Sequence, residues 1–155
     1  MITQDYIKSL FTYNDGRLYW NVRKSDRIRI GDEVGTKCSD GRINVKLDGK
    51  NYRLHRLIFL YHHGYLPNII DHIDGNNTNN IIENLRPATV KQNGQNRSKQ
   101  KNNTSGHKGV YFHKSTQKWV AYCDEDSLGY YDTSDEAAEK VSSYRKMKHG
   151  EFSKD

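Results

Sequence analysis

The stretch that decides the fold runs from Ile69 to Thr89 and reads IIDHIDGNNTNNIIENLRPAT. Two short apolar pieces flank a loop rich in Asn, Asp and Gly, the residue types that favour tight turns. Directly after it, Thr89-Val90-Lys91-Gln92 matches a capping box and predicts a helix from Val90 to about Ser98. The order strand, loop, strand, helix is therefore expected between residues 67 and 98.

The first apolar piece ends in Asp71 and His72. Successive side chains of a strand point to opposite faces, so one of the two can hold a metal while the other approaches a substrate. A hard cation such as Mg²⁺ prefers oxygen ligands, and a neutral His suits a general base. The Asp-x-x-Asp-Gly pattern from Asp71 to Gly75 is also ordinary turn chemistry. The residues alone leave both interpretations open.

Composition excludes several classes of protein. The 155 residues carry 25 Lys and Arg against 19 Asp and Glu, a net charge of +6, with 34% hydrophobic and 11% aromatic residues. The aromatic content argues against full disorder. No apolar run of about 18 residues predicts a membrane span, and the first residues do not resemble a signal peptide. Two cysteines, Cys38 and Cys123, are too few for a disulfide framework, so we expect buried thiols in a reducing, cytosolic setting.

The basic charge is concentrated between residues 86 and 118, where no Asp or Glu occurs. Such a stretch is either a flexible charged linker or a strip that follows the phosphates of a nucleic acid. Its basic residues are Arg86, Lys91, Arg97, Lys99, Lys101, Lys108, Lys114 and Lys118. Of these, Arg86, Lys91 and Arg97 lie close to the candidate site and are candidates for phosphate contacts, with surface solubility as the competing interpretation.

The segment before the candidate site predicts hairpins and a helix. Asp15-Gly16 and Asp48-Gly49 are hairpin turn signals between alternating apolar residues. The apolar run from His55 to His63, followed by Gly64, predicts a short helix. We interpret His55, His62 and His63 as packing or capping groups.

The segment after the site predicts three strands and a helix. The strands are expected at 110–114, 118–123 and 127–133, and the helix from an N-cap at Ser134 to Gly150. The fold class is therefore α+β: hairpins and a short helix, the strand–loop–strand–helix unit, a basic linker, and a small three-stranded antiparallel sheet packed on one helix. The expected divisions are residues 1–98, 99–104 and 105–153.

The central segment resembles the HNH, or ββα-metal, endonuclease family in the form found in phage homing endonucleases. The matching residues are His55-Arg56-Leu57, Asp71-His72-Ile73-Asp74-Gly75-Asn76, Asn79-Asn80, Glu83-Asn84-Leu85-Arg86, Thr89, Gln92-Asn93 and Asn96-Arg97. The resemblance implies that His72 is the general base, that Asp71 is a metal ligand, and that Asn84 holds the loop and orients His72. The second metal ligand would be Asn93 or Asn96, and the spacing favours Asn93.

The resemblance also implies an activity. The expected reaction is hydrolysis of a DNA phosphodiester with one Mg²⁺ or Mn²⁺ ion per site and no small-molecule cofactor, leaving 3′-hydroxyl and 5′-phosphate ends. One such site cuts one strand, so a monomer on double-stranded DNA should nick it. The expected location is the cytoplasm of a phage-infected bacterial cell. The alternatives are a weakly specific phage DNA nuclease and a DNA-binding protein that no longer cleaves.

Residues 105–153 resemble the Apetala, or ethylene-response-factor type, DNA-binding domain. The matching residues are Ser105-Gly106, Lys108-Gly109-Val110, Lys118-Trp119-Val120-Ala121, Leu128 to Thr133, Glu136-Ala137-Ala138 and His149-Gly150-Glu151-Phe152. The resemblance implies a sheet that binds DNA through Lys108, Tyr111, His113, Lys114 and Lys118. Two features depart from the family pattern. The connection Asp124-Glu125-Asp126 is short and acidic and the first strand has few basic residues, whereas in the family both segments are usually rich in basic residues.

Overall fold

The computed structural model describes residues 2–96 and 103–153. The chain divides into two compact units, Met1–Thr89 and Val90–Asp155. Both units mix small antiparallel sheets with a few helices, which confirms the predicted α+β class. The helix that follows the strand–loop–strand segment groups with the second unit.

Two hairpins of the N-terminal unit form where the sequence predicts them. Strands β1 (Phe11–Asn14) and β2 (Arg17–Trp20) pair around Asp15-Gly16, whose φ angles are +45° and +76°. A third strand, β3 (Thr36–Lys37), pairs with β4 (Ile43–Leu47), which pairs with β5 (Lys50–Arg53) around Asp48-Gly49. Positive φ at both turn residues matches the twist of the flanking strands.

Two helices complete this unit's core. Helix α1 (Gln4–Leu10) begins at Thr3, whose hydroxyl accepts from the Tyr6 amide, and the sequence analysis did not predict it. Helix α2 (Leu54–His63) ends at Gly64 in the left-handed region, as predicted. The buried side chains of α2 pack with those of α1 and the hairpins. Ile70 and Leu85 belong to the same hydrophobic cluster, so the candidate site is attached directly to this core.

The candidate site lies on a two-stranded antiparallel sheet. Strand β6 (Ile69–His72) pairs with β7 (Leu85–Ala88), and the register places Asp71 opposite Arg86 and His72 opposite Leu85. A 3₁₀ turn (Ile82–Asn84) leads into β7. This confirms the predicted strand–loop–strand order.

The C-terminal unit begins with helix α3 (Val90–Gln95). Its sheet has the order β10 (Asp126–Tyr131), β9 (Lys118–Cys123), β8 (Val110–His113), all antiparallel, and packs on helix α4 (Ser134–His149). The prediction of Ser134 as the N-cap was wrong by one residue. Thr133 caps the helix, because its hydroxyl accepts from the Glu136 amide while the Glu136 carboxylate reaches back to the Thr133 amide.

Candidate active site

The end of β6 holds Asp71 and His72, the two residues that the sequence analysis assigns to catalysis and metal binding. Asp71 and His72 are adjacent, so they leave the strand on opposite faces. Asp71 is 5% exposed and His72 is 8% exposed. Buried polar side chains need partners, and each of these two has an identifiable one.

Asp71 forms a buried ion pair with Arg86 across the sheet. The Arg86 Nε and Nη2 atoms lie 3.0 Å and 2.9 Å from the same Asp71 oxygen, Oδ2. The sequence analysis offered Arg86 as a candidate for a phosphate contact or as a surface charge; its side chain is only 9% exposed, which rules out the surface charge. The reason is the register of β6 and β7, which sets Arg86 opposite Asp71 and directs its charge to that carboxylate.

The imidazole of His72 is held by Asn80. The His72 Nε2 atom lies 3.0 Å from Asn80 Oδ1, and Asn80 is 5% exposed. An amide oxygen only accepts hydrogen bonds, so this contact requires the tautomer with the proton on Nε2, in which a neutral imidazole has its lone pair on Nδ1. Sequence reasoning assigned the orientation of His72 to Asn84 and missed Asn80, although the Asn79-Asn80 pair was part of the matching pattern.

Asn84 instead closes the loop between the strands. Its side chain accepts from the Asp74 amide at 3.0 Å and donates to Asp74 Oδ1 at 3.0 Å and to the Asn79 carbonyl at 2.8 Å. Its carbonyl accepts from the Ile73 amide at 2.9 Å, next to His72 in the chain. Burial alone would raise the pKa of Asp74, but hydrogen bonds from Asn79, Asn76 and Asn84 lower it. The Asn84 side chain therefore connects both ends of the loop, and its functional role stays a prediction.

His55 of α2 packs against the ring of His72. The two ring centroids are 5.2 Å apart and the rings meet edge to face. Burial, followed by the nearby charges of His72 and Arg56, lowers the pKa of His55 to about 3. His55 is consequently neutral at physiological pH. The sequence analysis interpreted it as a packing residue, and this contact shows that it packs on the proposed base.

The two candidates for the second metal ligand lie in the C-terminal unit. Asn93 is half-buried on α3, and Asn96 directly follows the helix and is buried. The pairing of either residue with Asp71 stays a prediction. Lys91 is exposed on α3, whereas the Lys108 ammonium donates to the Gln95 carbonyl at 2.9 Å. Three other predicted DNA contacts, Arg97, Lys99 and Lys101, lie outside the described residues.

The sheet of the C-terminal unit presents an aromatic face. Tyr111 and Tyr130 both stand opposite Val120, and Tyr122 lies two residues further along β9, so the three tyrosines share a face. They are 51%, 54% and 41% exposed. Val110 and Ala121 point the other way, into the cluster with α4. Tyr122 and Tyr130 were not among the predicted DNA contacts, because their place beside Tyr111 depends on the pairing of three strands.

Three of the residues predicted to contact DNA, His113, Lys114 and Lys118, lie on or next to strands β8 and β9. Lys114 and Lys118 are exposed, and Lys118 lies 3.2 Å from Asp132 in a surface ion pair. The ring centroids of His113 and Tyr130 are 5.9 Å apart.

No helix within residues 2–96 and 103–153 is long and apolar enough to cross a membrane.

Comparison with known proteins finds a family match that includes the β6–β7 segment. A family model described as HNH endonuclease matches residues 52–95. Protein 3.8 of Escherichia phage T7 is 35% identical over 88 residues, which cover 55% of this chain and 73% of that protein. The chain belongs to the HNH endonuclease family.

A solved structure is also similar, under the description "DNA binding and cleavage by the HNH homing endonuclease I-HmuI". It is 33% identical and the match covers 56% of this chain, with a TM-score of 0.42. The chain spans half the length of that solved protein, and the family assignment does not rest on this match.

Proposed function

We propose that the protein is a metal-dependent DNA endonuclease, of the phage homing or free-standing HNH type, that nicks one strand of double-stranded DNA. The observation that supports this best is the end of β6, where a buried His72 is held through Nε2 by Asn80 beside a carboxylate paired with Arg86. This arrangement provides an oriented base and a carboxylate oxygen donor on neighbouring residues, in a chain of the HNH endonuclease family.

His72 is the general base of the proposed reaction. His72 Nε2–H donates a hydrogen bond to Asn80, and the lone pair on Nδ1 takes a proton from water. The water oxygen forms a bond to phosphorus while the bond from phosphorus to the 3′ oxygen breaks, and the departing 3′ alkoxide takes up a proton from solvent. The products are a 5′-phosphate and a 3′-hydroxyl. Asn80 holds the ring, and the neutral His55 packs against it without adding a competing charge.

Asp71 is the proposed metal ligand in the N-terminal unit. Its carboxylate, together with the amide oxygen of Asn93, is a set of hard oxygen donors that fits one Mg²⁺ or Mn²⁺ ion. When bound, such an ion stabilises the charge that develops on the leaving oxygen. Arg86 contacts Oδ2 of this carboxylate and gives it a buried ionic partner.

The C-terminal unit is the proposed DNA-binding part, of the Apetala type. Exposed tyrosines offer aromatic surface and Lys114 and Lys118 offer charge for phosphate contacts. Arg97, Lys99 and Lys101 would extend this contact along the acid-free stretch. The protein would act as a monomer in the cytoplasm of a phage-infected bacterial cell.

Relaxation of a supercoiled plasmid tests this proposal. With Mg²⁺ or Mn²⁺, wild-type protein should convert supercoiled DNA to open-circular DNA, and EDTA or His72→Ala should abolish the conversion. His63→Ala is the matched control, because His63 is an exposed His of α2 that contacts Phe59 rather than the site. Direct linearisation would contradict single-strand nicking. Retained salt-sensitive binding without cleavage of plasmid or phage DNA would favour a binding protein.

A further inference from the structure

Three donor side chains of different chemistry meet at one end of the C-terminal unit. Cys123 is the last residue of β9, Asp124 follows it in the turn to β10, and His149 is the last residue of α4. A ligand atom from each of the three lies within 4.8 Å of the others. Cys123 and His149 are 26 residues apart in sequence, so the fold and not local spacing creates the cluster.

The burial of Cys123 and His149 distinguishes this cluster from a surface ion pair, although the Asp124 side chain is 33% exposed. Cys123 is 3% exposed, and the imidazole of His149 is also 3% exposed. The His149 Nε2 atom lies 2.9 Å from Asp124 Oδ2, whereas its Nδ1 atom is buried with no hydrogen-bond partner. Buried polar atoms without partners are uncommon and call for an explanation. An imidazole fixed this way, beside a thiol and a carboxylate, is well placed to bind a metal.

The donor types favour a different metal from the one proposed at Asp71. Thiolate, imidazole and carboxylate together suit Zn²⁺, whereas Mg²⁺ prefers oxygen donors alone. A cavity of about 430 Å³ is lined by all three residues and has room for a water molecule as the fourth ligand. We propose that Cys123, Asp124 and His149 form a zinc site that joins the β9–β10 turn to the C-terminal end of α4.

The small core of this unit explains what such a site would contribute. Among the described residues, its buried hydrophobic cluster consists of Val110, Ala121, Ala137 and Val141. Small domains with little buried apolar surface commonly depend on metals or disulfides for stability. A metal at this position would fix the last turn of α4, which is the helix that covers the sheet.

The residues around the proposed zinc site carry charges of both signs, and these charges affect metal binding. Lys148 lies 3.7 Å from Asp124 but pairs more closely with Asp126, so Asp126 retains Lys148 when Asp124 binds a metal. Lys91, Lys108 and Arg145 line the same cavity and disfavour a bare dication. A Zn²⁺ ion bound by one thiolate, one carboxylate and a neutral imidazole carries no net charge, which reduces this repulsion.

Titration of the full chain with Co²⁺ tests the site, because a cobalt–thiolate bond gives a charge-transfer band in the near ultraviolet. The band should appear at one equivalent, disappear on addition of Zn²⁺, and be absent in Cys123→Ser. His149→Gln and Asp124→Asn should weaken binding by at least about 10- to 100-fold, the loss seen for residues that only support a ligand. Cys38→Ser should keep the band, and so should Asp71→Asn, which separates this site from the nuclease site.

Thermal unfolding provides the second measurement. Zn²⁺ should raise the unfolding temperature of wild-type protein, EDTA should reverse the rise, and His149→Gln should not respond. His149 is at a helix end, so this variant should still fold, and circular dichroism checks that it does. The absence of a thiolate band in folded wild-type protein, or its loss in Cys38→Ser instead of Cys123→Ser, would overturn the proposal.

Discussion

The buried pair of Asp71 and Arg86 allows a quantitative prediction about stability. Replacing Arg86 by Met keeps much of the side chain's volume and removes its charge, which leaves the Asp71 carboxylate buried without its ionic partner. The two side chains are 6% and 9% exposed, so solvent cannot compensate for the loss. Removing one member of a buried ion pair typically costs about 3–5 kcal/mol. We expect Arg86→Met to lower the free energy of unfolding by about that amount.

The matched control is the double variant Asp71→Leu with Arg86→Met. Replacing a buried ion pair by apolar side chains of similar size is often neutral or stabilising, so the double variant should recover most of the lost stability while remaining inactive. Urea unfolding followed by circular dichroism measures the four members of the cycle. A cost below about 1 kcal/mol for Arg86→Met, the range of exposed ion pairs, would refute the reasoning.

Three further predictions concern the surroundings of His72. Asn80→Ala should reduce nicking by about 10²–10⁴-fold without abolishing DNA binding, because His72 loses the partner that fixes its protonated nitrogen. Asn80→Asp keeps an acceptor and should restore part of the rate. Equal rates for the wild type and both variants would contradict the assigned hydrogen bond. The pKa of His55 is lowered to about 3 in the folded protein, so unfolding takes up a proton below pH 6.5. The free energy of unfolding should therefore fall by at most about 1.4 kcal/mol per pH unit as the pH is lowered from 6.5 towards 3. His55→Leu should flatten this slope in urea titrations. Asn84→Ala removes hydrogen bonds to Asp74 and Asn79 and should lower the free energy of unfolding in urea by about 1–3 kcal/mol. An unchanged urea midpoint would show that the loop does not depend on Asn84.

Local signals in the sequence predicted most of the secondary structure. The Asp15-Gly16 and Asp48-Gly49 turns, the apolar run of α2 and the capping signal before α4 each act within a few residues, and the structure confirms the elements they predicted. Helix α1 was missed because a seven-residue helix shows too few turns for its periodicity to be recognised.

The pairing of site residues could not be predicted in the same way. The contact of Arg86 with Asp71 depends on the strand register, which is set by the burial of Ile70 and Leu85 in the core. The selection of Asn80 over Asn84 as the partner of His72 depends on the path of the loop. Asp71 and His72 could be named as candidates from their residue types and their place at the end of a strand, and the resemblance to the HNH family supplied the roles proposed for them.

The most direct test of the central claim is chemical rescue of His72→Ala. This substitution leaves a space where the buried imidazole stood, and free imidazole in solution can supply the missing base. The account predicts that His72→Ala does not nick plasmid DNA with Mg²⁺ present, and that added imidazole restores part of the rate, with greater rescue at a pH where imidazole is neutral. A wild-type rate in His72→Ala, or no rescue in a folded variant that still binds DNA, would contradict His72 as the general base.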